Sequence, residues 1–216
     1  MSLAVRIVLV VLAAATLAAY EPSLSPRSID EAIAAGLTRI EAERARFHRP
    51  YRVIVNAPPV DWIDVVTPFR RIALEADSRV RTGARLFGQR EAIAVLGSTP
   101  EQLDVIVELS FHPLNTFVGV PGYDMRLVRG TETIAPRDLE RLPRFGPRMG
   151  DATLPYPWST GSSIRIAPGA EPLLGGRLAA HFDGRGLTPD AAYDVVVVDD
   201  SRREMARARV DFAGVR

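Results

Sequence analysis

The chain has 216 residues, 47% hydrophobic and 25% charged, with 27 basic against 26 acidic side chains. That apolar fraction is enough for a packed core and excludes global disorder, and the near-zero charge argues against nucleic acid or an anionic membrane as partner. Lysine and cysteine are both absent, which removes P-loop and Schiff-base lysines, thiol nucleophiles, thiolate metal sites and disulfides.

Arg6 is the only charged residue before Glu21, and an apolar run follows it from Ile7 to Ala19. A basic start, a short apolar stretch and small residues at its end are the parts of a secretory signal, here residues 1–19 with cleavage at Ala18 or Ala19. The run is shorter than the roughly 20 residues of a spanning helix. The expectation is an exported protein, periplasmic or secreted, with an uncleaved N-terminal membrane anchor as the alternative. A lipid anchor needs a cysteine that the chain lacks. Once the signal is removed, 26 arginines face 26 acids.

Residues 20–27, with two prolines and two serines, read as a tether, and 28–216 as a single domain. Ser28 and Glu31 have capping-box spacing, and Ile29, Ile33, Leu37 and Ile40 recur at helical period, which predicts one amphipathic helix over 29–46. Strands are expected at 51–56 and 62–66, separated by Ala57-Pro58-Pro59. Thr67-Pro68 is an N-cap with a proline at the first helical position, predicting a helix through Val80; a strand through 69–74 is the rival for the 68–82 region. A short helix over 89–96 closes at Gly97.

The clearest strand is 103–111, with Leu103, Val105, Val107, Leu109 and Phe111 on one face and Asp104, Ile106, Glu108 and Ser110 on the other. Residues 115–120 and 123–128 are expected as strands, and 136–142 as one or two helical turns. The stretch 143–169 holds five prolines and four glycines and predicts a long irregular connection. A strand around Leu178, Ala180 and Phe182 and a hairpin of 193–198 with 206–212 complete the chain. The sum is a mainly β, antiparallel, sandwich-like domain with an N-terminal helix and one or two more; α+β is the alternative.

Chemistry is sparse in this pattern. His112 ends the best strand and opens His112-Pro113-Leu114-Asn115. With Asn115, Tyr123 and Asp124 it could line a polar pocket, or it could simply bond its own turn. Ser159 and Ser162 lie in a loop without the G-x-S-x-G pattern of a nucleophile elbow. A hydrolase using His112 with Asp124 or one of these serines is therefore the rival to a non-catalytic reading. Asp104 and Glu108 share a face but stand roughly 13 Å apart by strand rise, too far for a glycosidase pair, and read as solvated acids. Asp194, Asp199 and Asp200 are candidate calcium ligands without an EF-hand pattern. Tyr156 and Trp158, in a proline-stiffened loop, suit a contact surface or a loop pinned to the core. The leading expectation is a non-catalytic exported domain for surface recognition or envelope assembly, its partner an unknown protein or envelope component. The alternatives are that hydrolase and a periplasmic small-ligand or calcium-binding module. No cofactor is expected, and no membrane contact except through an uncleaved N-terminal segment.

Overall fold

The computed structural model describes residues 19–83, 86–112, 114–146 and 171–216. Its first layer is helical: α1 (Pro26–Leu37), α2 (Glu41–His48) and a 3-10 turn (Arg49–Tyr51) lead into β1 (Arg52–Ala57) and β2 (Val60–Val66). Then come α3 (Pro68–Arg81), α4 (Gln89–Leu96), β3 (Gln102–Ser110), β4 (Asp124–Arg129), β5 (Glu132–Ile134) and β6 (Asp138–Phe145). The chain ends with β7 (Leu173–Asp183), β8 (Ala192–Val198) and β9 (Glu204–Asp211).

All strands pair antiparallel, in a five-stranded sheet ordered β1-β2-β3-β7-β6 and a four-stranded sheet ordered β5-β4-β8-β9. The mainly β, sandwich-like reading stands. Strand periodicity sends alternate side chains to opposite faces. Val105, Val107, Leu178, Ala180 and Phe182 of the larger sheet thereby meet Met125, Leu127, Tyr193, Val195 and Val210 of the smaller in one core. A separate apolar cluster of Ile29, Ala32, Ile33, Phe69, Ile72, Ala92 and Leu96 joins α1, α3 and α4. Gly36 lets α1 approach α3, since a β-carbon there would stand 2.2 Å from the Ala73 carbonyl oxygen. The region 68–82 is helix: the Thr67 side chain accepts from the Arg70 N–H, and Pro68 opens the first turn.

Several sequence expectations are corrected. The helix expected over 29–46 is two helices, because Thr38 adopts extended backbone (φ −60°, ψ 132°) after α1. The cap lies three residues upstream of Ser28, at Ser25, whose hydroxyl accepts from the Ser28 N–H. The 20–27 segment is no free tether: Tyr20 is buried against Phe212, and its N–H donates to the Phe212 carbonyl at 3.1 Å. The turns expected at 136–142 are strand β6, held in register by β7 from Asp138 to Arg144, with a register shift before Phe145. Helix-compatible residues lose there to pairing along a sheet edge, where Pro143 is tolerated. Residues 115–120 form no strand, because the Asn115 side chain donates to the carbonyls of His112 (2.6 Å) and Leu173 (2.7 Å) and accepts from the Phe117 N–H (2.9 Å). Most of the 143–169 connection, and the signal segment through residue 18, lie outside the described residues.

Candidate functional site

The outer face of the five-stranded sheet carries three carboxylates, each straddled by two basic side chains. Glu108 takes Arg177 at 2.8 Å and Arg144 at 3.3 Å. Asp104 takes Arg71 at 2.9 Å and His181 at 2.8 Å. Asp64 takes both terminal nitrogens of Arg70, at 2.6 and 3.1 Å, and Arg52 at 3.2 Å. Asp104 and Glu108 are thus ion-paired and largely covered, not the solvated acids their alternation suggested. Arginine suits such sites because its planar fork offers two parallel donors to one carboxylate.

Where α2, the 49–51 turn and α3 meet the first of these strands, the last group widens into an open cleft of about 420 Å³. Arg49 and Arg52 enter from the 3-10 turn and β1, Arg70 and Arg81 from α3, with Asp64 and Asp77 between them. Ala45 and Leu74 supply apolar wall. Arg70 is almost wholly buried, and its guanidinium lies 4.7 Å above the Tyr51 ring; Arg52 lies 4.2 Å above Trp62. Such stacking fixes the planes of both forks. Asp77 is held by Arg44 at 3.1 Å and Arg81 at 2.7 Å. Burial opposes its charged form, but the hydrogen bonds from Arg81 and Arg44 outweigh that and hold its carboxyl below the usual range.

His48 closes α2 and lines the same cleft. Its Nδ1 is buried without a hydrogen-bond partner among the described residues, as is Nε of Arg70. Burial, and then the nearby charge of Arg70, push the imidazole below its ordinary value, which favours its neutral form. The alternate residues of the same segment, Phe47, Pro50 and Tyr51, wall a second groove with Phe69.

The residues singled out in the sequence lie elsewhere. His112 Nδ1 accepts from the Leu114 N–H at 3.2 Å, and neither a serine nor a carboxylate bonds it among the described residues. Asp124 accepts from the Met125 N–H at 2.7 Å. Tyr123 is buried beside Phe111, and burial, with Asp200 and Asp199 nearby, raises its hydroxyl. Asn115 is occupied by the backbone of its own loop and of β7. Asp194 pairs with Arg207 at 2.9 Å, while Asp199 accepts from the N–H groups of Ser201 and Arg203 and shapes the hairpin turn. The group of potential metal ligands found among the described residues is a different one, Asp138, Glu140 and His181, whose ligand atoms lie within 4.8 Å of one another. Both its carboxylates are exposed, and His181 already bonds Asp104. Tyr156, Trp158, Ser159 and Ser162 fall outside the described residues.

The cleft is not visible in the sequence because its residues come from five elements and carry no motif. One signal was present: Arg70, Asp77 and Arg81 stand at i, i+7 and i+11, which on a helix places them along one face. No known protein family matches the chain, and neither a curated protein nor a solved structure matches it.

Proposed function

We propose that this protein is an exported, non-catalytic recognition domain that uses the arginine-lined cleft as its binding surface. One observation carries the reading: the cleft offers many fixed donors and, among the described residues, no activated nucleophile. Both its carboxylates are held by pairs of arginines, and among the described residues His48 has no hydrogen-bonded carboxylate to orient it as a triad base would need. Rigid guanidinium forks with apolar wall between them suit binding of an anionic partner, free or part of an envelope component. Export is supported by Arg6 and the apolar run that follows it.

Two experiments test this. Purified protein incubated with p-nitrophenyl esters and phosphoesters is expected to release no nitrophenol above background. Turnover that His48→Gln abolishes while the fold is retained would make the domain a hydrolase. For export, intact mass of the protein recovered from an exporting host should lack 18 or 19 residues; a full-length mass in the cytosolic fraction would refute the export reading.

A further inference from the structure

Taking the recognition reading of the cleft as its basis, we infer that the ligand is a phosphomonoester, a phosphoryl group carried on a small organic molecule. Charge comes first. Four guanidinium groups and two carboxylates line the cleft, an excess of two positive charges within a protein that is almost neutral as a whole. A carboxylate would neutralise half of that excess, whereas a phosphomonoester carries close to two negative charges at pH 7.

Geometry agrees with the charge. The internal acids leave donors unused: Arg49 forms no ion pair among the described residues, and Arg81 is largely exposed although it pairs with Asp77. The arginines approach from the 49–52 segment on one side and from α3 on the other. Three phosphoryl oxygens can accept from both sides at once, which a planar carboxylate does less well. Size argues for an organic carrier. The volume lies within the roughly 300–1,000 Å³ of small-molecule sites, and a bare oxyanion would leave the Ala45 and Leu74 walls uncovered.

Calorimetric titration of the purified full chain with phenyl phosphate, inorganic phosphate and succinate tests this, with phenol release followed in the same samples. Phenyl phosphate is expected to bind about tenfold more tightly than inorganic phosphate, and succinate not measurably. Arg49→Gln and Arg81→Gln, both at exposed positions, are each expected to weaken phenyl phosphate roughly tenfold or more while the melting temperature holds. Equal affinity for phenyl phosphate and inorganic phosphate would overturn the organic carrier in favour of the free ion. Binding of succinate with no binding of either phosphate would overturn the phosphoryl assignment and leave the recognition cleft standing. Phenyl phosphate affinity unchanged in both variants would place its site elsewhere and overturn the proposal. Phenol release by the wild type would contradict the non-catalytic reading while leaving the phosphoryl assignment intact.

Discussion

The space between the two sheets and the layer outside the larger sheet are built from opposite materials. Between the sheets, aliphatic and aromatic side chains close completely: Phe182, Tyr193 and Phe212 are fully buried, and the rings of Tyr193 and Phe212 lie 5.2 Å apart. Outside, Asp64, Asp104 and Glu108 stand where a sheet under helices would ordinarily carry apolar residues, and arginines from α3, β1, β6 and β7 neutralise them. Apolar burial stabilises through area and is indifferent to direction. A charged layer is different, because replacing a buried ion pair by apolar residues is often neutral or stabilising. Such a layer leaves its donors open to a second use, and in the cleft Arg52 stays about half exposed while it pairs with Asp64.

Deleting a core ring should produce the largest effect. Phe182→Ala is expected to cost about 4 kcal/mol in urea unfolding with an unchanged slope, because the ring is fully enclosed between the sheets. A loss under about 1 kcal/mol would mean that the sheets do not close on it. Next comes the charged layer. Asp64→Ala should cost about 3 kcal/mol by stranding the buried Arg70, while the double variant Asp64→Leu, Arg70→Met should recover most of that loss. Strict additivity of the two changes would deny the coupling.

A smaller effect is expected from pH. The folded value of His48 lies below 6.5, so in the folded state it binds fewer protons than in the unfolded chain. Stability therefore falls as pH drops through about 6.5 toward the lowered folded value, and His48→Gln should flatten that segment of the stability profile. Asp77, also lowered in the fold, gives a loss of the same sign as pH falls below 3.8. A His48→Gln profile identical to that of the wild type between pH 7 and 5.5 would contradict the first statement. Smallest of all, Arg137→Ala breaks an exposed pair with Asp183 and should change stability by less than about 1 kcal/mol.

These two regions were unequally legible in the sequence. Core strands announce themselves, because one buried face forces an alternation that depends on the strand alone; Leu103 to Phe111 needed no knowledge of its neighbours. The helix behind Thr67-Pro68 was equally local. Residues 136–142 were misread because their strand character comes from β7, almost forty residues later in the chain. Long-range pairing of this kind overrides local propensity. The cleft was hidden for the same reason: Arg52, Asp64 and Arg70 meet only once β1, β2 and α3 are assembled, and each alone reads as a solvated charge. His48 reads in the sequence as no more than a basic residue near a helix C-terminus, and only the fold buries it.

The most direct test of the central claim is amide chemical-shift mapping by NMR during titration with phenyl phosphate. Saturable shifts are expected in residues 45–52, at Asp64 and along 70–81, with the β8–β9 hairpin unmoved. Shifts centred on the 112–122 loop, or none at millimolar ligand, would contradict the claim.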